Sequence, residues 1–306
     1  MLRGMQTTNG SRVSRMSLTT TVFMAACLSL GAAPQAPTAS TPPQPAAAAW
    51  PADEAGLTAL ATRLLNDWVA HATAPALEAT MLPCFQMVNY RGTFDRSGTA
   101  KALLELGAAN PKISDVVATR VGDALVTTCM LSVGQTADGK PLPSAASPRI
   151  GVWQQSEGAW KLAAWGSLNM PATRPAPTAP SFAGDAALNT EGAAMLARFL
   201  GAQHARKLDV FGKMLADGMQ VINFKGQKVR KDIERGAQAA TVDEPKIVDA
   251  RATRCGELTV VTCTLTMGQK IGFTTLPADP APFMAVFRGT GDAAAVIAMA
   301  NTNKPK

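Results

Sequence analysis

Reactive side chains are scarce in this chain. One tyrosine, Tyr90, and two histidines, His71 and His204, occur in 306 residues. Neither histidine has a cysteine or carboxylate at ligand spacing, so a metal centre is not expected; capping or packing at the end of a first helix is. Glycine patterns that cradle nucleotide phosphates are missing, as are a serine-histidine-acid arrangement and any nucleic-acid-binding motif. No cofactor and no nucleic acid are therefore expected as partners. Long apolar runs are also missing. The stretch from Leu18 to Leu30 is broken by Thr19, Thr20 and Thr21, which leaves it too short and too polar for a membrane-spanning helix. No acidic residue precedes Cys27, and Arg3, Arg12 and Arg15 there supply +3 of the net charge of +7. The remaining charge is ordinary for solubility.

The N-terminus reads as an export signal over residues 1–33: arginines, an apolar stretch, then small residues. Two maturation routes compete. Cleavage near Gly31-Ala32-Ala33 would leave Pro34 directly after the cut, where peptidases act poorly. Met24-Ala25-Ala26-Cys27 resembles a bacterial lipobox, which would put a lipid anchor on Cys27, although Leu28 and Leu30 are unusually apolar for that context. Either route places the protein in the periplasm or on the envelope. Residues 34–52 are mainly Ala, Pro, Gln, Thr and Ser, too poor in burial to fold, and form an expected tether. A similar stretch at 172–187 separates two segments, 53–171 and 188–305.

Those segments are copies. Shifting the chain by 134 residues aligns 85–171 with 219–305 without a gap, and 26 of 87 positions are identical. The match is densest in PKISDVVATRVGDALVTTCMLSVGQ against PKIVDARATRCGELTVVTCTLTMGQ, with 14 identities in 25. A repeat this long exceeds any solenoid unit, so each copy is expected to be a complete domain with its own core.

Within a copy, Leu57, Leu60, Leu64 and Trp68 recur at helical spacing after Asp53-Glu54. A second short helix, a strand at 85–91, a helix at 97–106 stopped by Gly107, and strands at 113–121, 125–133, 149–155 and 160–168 follow. Gly122-Asp123 and Glu157-Gly158 are the expected hairpin turns. Helices on one side of antiparallel strands make an α+β domain. This order, with FQMVNYRGTFDRSG and GVWQQSEGAWKLAAW, resembles the nuclear transport factor 2-like superfamily, which includes ketosteroid isomerases and polyketide cyclases, and most of all its bacterial exported branch. The resemblance implies two tandem cone-shaped domains, each a curved antiparallel sheet with three helices. Members of that superfamily commonly dimerise through their sheets, so the resemblance also implies an internal pseudo-dimer. The segment at 293–300 carries no charge on either face, as a strand buried on both sides does, and is expected near the domain interface.

An isomerase of that superfamily would need a carboxylate base together with tyrosine and protonated-acid donors. Here Tyr90 is replaced by Phe224 in the second copy, and Asn89 and Asn223, which precede them, cannot act as bases. Asp115 and Arg120 recur as Asp249 and Arg254. Five residues apart on a regular strand they face opposite sides, and only a bulge would let them meet; a structural role is expected. Cys129 and Cys263 are equivalent strand residues, expected in the core. Export would permit disulfides; Cys84 with Cys129 is open on geometry, whereas Cys255 and Cys263 of one hairpin are too far apart. Lys225, Lys228, Arg230, Lys231 and Arg235 form either a solvated face or a surface for an anion. Cations at a helix start oppose its dipole, so helix stability does not explain them.

No catalytic residue is assigned. The second copy has Ala294 and Met299 where the first has Trp160 and Trp165, so the first is the expected ligand binder, through Tyr90, Asn89, Trp153 and Trp160. A four-residue turn from Ser156 to Ala159 sets Trp153 opposite Leu162, on the face of Trp160; such a face lines a pocket or fills the core. The expected function is that of an exported, non-catalytic module binding a small apolar ligand or a protein partner in the envelope. Two alternatives stand beside it: a cone-fold enzyme acting on a hydrophobic carbonyl compound, and a purely structural envelope protein.

Overall fold

The computed structural model describes residues 49–71, 75–137, 139–171 and 173–305. The export segment, Cys27 and the tether up to residue 48 lie outside the described residues. The first domain runs α1 (Glu54–His71), a 3-10 turn (Pro75–Thr80), β1 (Met81–Val88), β2 (Thr93–Asp95), α2 (Arg96–Leu106), β3 (Ala109–Val121) and β4 (Ala124–Gly134). A small ribbon of β5 (Thr136–Ala137) and β6 (Lys140–Pro141) precedes β7 (Ser147–Ser156) and β8 (Ala159–Ser167). The second domain repeats the plan with α3 (Ala186–His204), α4 (Leu208–Lys213), β9 (Leu215–Asn223), β10 (Gly226–Val229) and α5 (Arg230–Ala239). It continues with β11 (Ala240–Val242), β12 (Lys246–Cys255), β13 (Leu258–Thr266), β14 (Gln269–Ile271), β15 (Thr274–Leu276), β16 (Ala281–Arg288) and β17 (Ala295–Asn301).

Each domain holds one six-stranded sheet, ordered β2-β1-β8-β7-β4-β3 and β10-β9-β17-β16-β13-β12. Each sheet is antiparallel, as expected, except at one place per domain. β1 pairs parallel with β8, and β9 with β17. A parallel pair needs a long crossover, and the helix and the following strands supply it. Local signals fix the helix ends: the Asp95 carboxylate accepts from the Gly98 amide at 2.8 Å and α2 stops at Gly107, whose φ is 62°.

Alternate strand residues divide between two interiors. Leu125, Cys129 and Leu131 of β4 join Phe85, Trp153, Leu162 and Trp165 under Leu64, Leu65 and Trp68 of α1. Ala124 and Val126 face the other way, into a third core that both domains share. That core sets Leu82, Val88, Ile150 and Ala164 against Ile222, Val260, Met284 and Ile297. The apolar, nearly uncharged strands of the repeat are thus buried on both faces. Ile297, Ala298 and Ala300 of β17 lie in the shared core, while Val296 and Met299 point into the second domain's own.

The polar contacts between the sheets are reciprocal. Gln86 of β1, fully buried, donates to the Val260 carbonyl at 2.9 Å and the Thr253 hydroxyl at 2.8 Å, and accepts from Thr262 at 2.5 Å. Gln220, its repeat partner, donates to Val126 at 3.0 Å and Thr119 at 2.9 Å, and accepts from Thr128 at 2.6 Å. Every residue of the second set lies 134 positions from its counterpart in the first. This is the pattern of an isologous interface, residue i touching j and j touching i. Gly166 and its counterpart Ala300 meet each other: a β-carbon on Gly166 would come within 2.6 Å of the Ala300 methyl.

A disulfide breaks the symmetry. Cys84 of β1 is bonded to Cys255 of β12, with 5.7 Å between their α-carbons. The expected option of Cys84 with Cys129 is thereby corrected, since Cys129 is a free, buried thiol. On the symmetric side, Gly218 faces Val121, and a β-carbon there would lie 2.9 Å from a Val121 methyl.

The repeated aspartates have a backbone explanation. Both β3 and β12 shift register, between Ser114 and Val117 and between Val248 and Arg251. Asp115 and Asp249 occupy these bulges with φ of 52° and 54°, a left-handed conformation that Asp and Asn adopt more readily than most residues. The inter-domain stretch is laid along an edge strand: the Thr178 amide donates to Arg91 at 2.7 Å and the Ser181 amide to Thr93 at 3.3 Å. It covers the exposed side of β2, which an open edge requires.

Candidate functional site

Each domain has a chamber between its helices and the inner face of its sheet. In the first, Trp68 of α1 and Trp165 of β8 lie 5.7 Å apart between ring centres, and Trp68 is 6.1 Å from Phe85. The indoles fill most of the volume, and the free space for water-sized atoms is about 50 Å³. In the second domain Phe199 stands at the buried helix position of Trp68, and Met299 replaces Trp165. With smaller side chains the chamber opens to about 350 Å³. The copy richer in aromatics, the expected ligand binder, has the smaller chamber, because the aromatics occupy the space.

Tyr90 and Asn89 do line the first chamber, with Arg149, Gln135, Ser167 and Asn169. The Asn89 side-chain oxygen accepts from the Arg91 amide at 2.8 Å, and that of Asn223 from the Lys225 amide at 2.9 Å. Both repeated asparagines therefore build the turn after the first strand. Trp153 and Trp160 lie elsewhere. Trp153 is buried in the core beside Leu162, and its indole N–H donates to Thr127 at 3.0 Å. Trp160 meets Trp50 edge-on at 4.9 Å, and the Arg120 guanidinium sits 4.3 Å over the Trp50 ring. Trp50 is thereby docked on the first domain. Arg254, the counterpart of Arg120, pairs instead with Glu191 at 2.5 Å and Thr259 at 3.1 Å.

The second chamber is apolar inside, lined by Phe199, Phe211, Ile233, Met267, Phe283 and Met299, with Asn223, Gln269 and Asn301 among them. Lys225, Lys228 and Arg235 contribute to its wall. None of the three has a carboxylate within ion-pair distance among the described residues; Lys225 is placed 5.6 Å from the Phe224 ring. Arg230 is different, held by Glu234 at 2.8 Å, by Asp217 and by the Gly212 carbonyl at 3.2 Å. Asp232, the carboxylate at this chamber, accepts from the Val229 amide at 3.3 Å at the start of α5. The basic cluster thus divides into one structural arginine, three cations at a cavity and the exposed Lys231. Among the described residues no group of three or more His, Cys, Asp or Glu is placed to hold a metal.

The two histidines end as backbone contacts, His71 with Asp67 at 2.6 Å and His204 with Val242 at 2.9 Å. Sequence reasoning passed over Arg149, which replaces an apolar side chain: its counterpart is Phe283. Burial pushes the Arg149 guanidinium down to about 10 and the facing Cys129 thiol up to about 12. At neutral pH the first stays a cation and the second a neutral thiol.

The chain is similar in structure to nuclear transport factor 2-like proteins. One, from Cytophaga hutchinsonii, shares 14% identity at a TM-score of 0.33, over 38% of this chain and 97% of that one. ActVI-ORFA from Streptomyces coelicolor shares 13% at 0.31, over 37% and 96%. A putative aromatic ring hydroxylase from Novosphingobium aromaticivorans shares 9% at 0.32, over 36% and 87%. No family profile and no curated protein matches the chain. These likenesses concern the fold, and the chemistry of the chambers rests on this chain's own residues.

Proposed function

We propose that the protein is an exported, non-catalytic binding module whose second domain takes a small apolar ligand with an anionic end. The observation that carries this reading is the open apolar chamber of about 350 Å³ with Lys225, Lys228 and Arg235 in its wall. Ligand sites are concave and mostly apolar, with a few polar groups that fix orientation. The three cations give up attraction to any protein carboxylate and remain free to meet an anionic head. Binding without turnover fits the carboxylate at hand, since Asp232 serves the helix start. Export is favoured by the Cys84–Cys255 bridge, because stable disulfides belong to oxidising compartments.

The test is titration of the purified protein with a dansylated medium-chain carboxylic acid. Saturable binding is expected, weakened about tenfold when Lys225, Lys228 and Arg235 are changed together to Ala. Met299→Trp, which restores the first domain's plug, should abolish it while the thermal midpoint holds. Recovery of a chemically altered ligand would remove the non-catalytic part of the reading, and equal binding by the Met299→Trp variant would remove the site.

A further inference from the structure

The first domain's chamber is too full for such a ligand, yet it contains a feature the second lacks. Arg149 is 2% exposed and lines the chamber. A buried cation is costly unless an anion and further hydrogen bonds compensate it. Among the described residues no Asp or Glu pairs with Arg149 and none lines the chamber. The facing Cys129 thiol stays neutral at physiological pH. Local acceptors use one nitrogen only. Nη1 donates to the Ser147 carbonyl at 3.1 Å, the Ser147 hydroxyl at 2.8 Å and the Pro148 carbonyl at 3.1 Å. Nε and Nη2, which form one edge of the planar fork, make no hydrogen bond among the described residues. The hydroxyls of Tyr90 and Ser167, in the same wall, are likewise unused there.

We propose that the first chamber is a site for a small carboxylate, whose two oxygens take the free Nε–Nη2 edge of Arg149. A carboxylate matches that edge with two parallel hydrogen bonds, which a spherical anion cannot do. Size points the same way. Space of about 50 Å³ admits roughly four water-sized atoms, the heavy-atom count of acetate. The apolar neighbours Trp68 and Trp165 accept the methyl end. This site does not depend on the second chamber.

Trp68 and Trp165 also supply the readout. The full-length protein is titrated at constant ionic strength with sodium acetate, sodium chloride and neutral acetamide, and tryptophan emission is followed. A saturable change with acetate, about tenfold weaker or absent with the other two, is expected. Arg149→Met should lose the acetate response and, in acetate-free buffer, melt no lower than the parent, because a lone buried charge has been replaced by an apolar chain. An acetamide response equal to that of acetate, an equal chloride response, or retention of the acetate response in Arg149→Met would each overturn the proposal. Should the variant fail to fold, the wild-type comparison of acetate with acetamide decides alone.

Discussion

Asp115 and Asp249 illustrate how a repeated ionisable residue can owe its place to the backbone. Each sits where its strand takes an extra residue, with positive φ. A side chain kept for its charge would not survive as an amide; one kept for its conformation would. Asp115→Asn and Asp115→Gly are expected to leave stability within about 0.5 kcal/mol, whereas Asp115→Val, which strains the left-handed conformation, should cost about 1–2 kcal/mol. Urea unfolding of the three variants separates the readings: a loss with Asn as large as that with Val would return Asp115 to the list of charged groups with a task. Arg120 and Arg254 make the complementary point, since one lies over Trp50 and the other pairs with Glu191. Identity between copies fixed the residue without fixing its partner.

At the scale of elements, strands and hairpins were largely legible because apolar alternation and turn residues are local signals. The β7–β8 turn is closed by the expected Ser156–Ala159 pair. Less visible was the start of β1 at Met81. Pro83 there reads as a breaker, and it is tolerated because the pairing with β8 is irregular between Met81 and Gln86. β2 and β10 are too short to show periodicity. The chambers were hidden for another reason: composition does not reveal whether an aromatic lines a cavity or fills it, and Trp68 and Trp165 fill theirs. β17 was readable through its lack of charge. Ile297 is fully buried between the domains, and Ile297→Asp would place an unpaired carboxylate there. A loss of at least about 3 kcal/mol is expected, read as a lower urea midpoint. An unchanged midpoint would mean that this face of β17 is not held against the first domain.

For the whole molecule, the central fact is a near-symmetric union of two copies with an asymmetric disulfide. Gln86 and Gln220 could be paired from the sequence, being identical polar residues on otherwise apolar strands. Cys84 and Cys255 could not, because their counterparts are Gly218 and Val121, and comparing the copies passes over residues that only one of them has. The symmetry nevertheless says where a second bond would fit. Gly218 and Val121 occupy the same relative places as Cys84 and Cys255, and Gly218 touches Val121 directly. The Gly218→Cys, Val121→Cys double variant should therefore oxidise to a second bridge across the same interface. Closing a loop as long as the native one, whose cysteines are 171 positions apart, is worth at most about 5 kcal/mol by chain entropy. The second bond adds less, because the first has already restricted the unfolded chain. Its distinctive effect appears when the native bond is gone: with Cys84→Ala and Cys255→Ala in the background, the new bridge should restore most of the lost stability. Thiol titration under denaturing, non-reducing conditions gives the direct answer, with both engineered thiols unreactive if Gly218 and Val121 meet as the two-fold counterparts of the native contact. Free engineered thiols in the folded-then-denatured protein would show that the copies depart from two-fold symmetry at this corner.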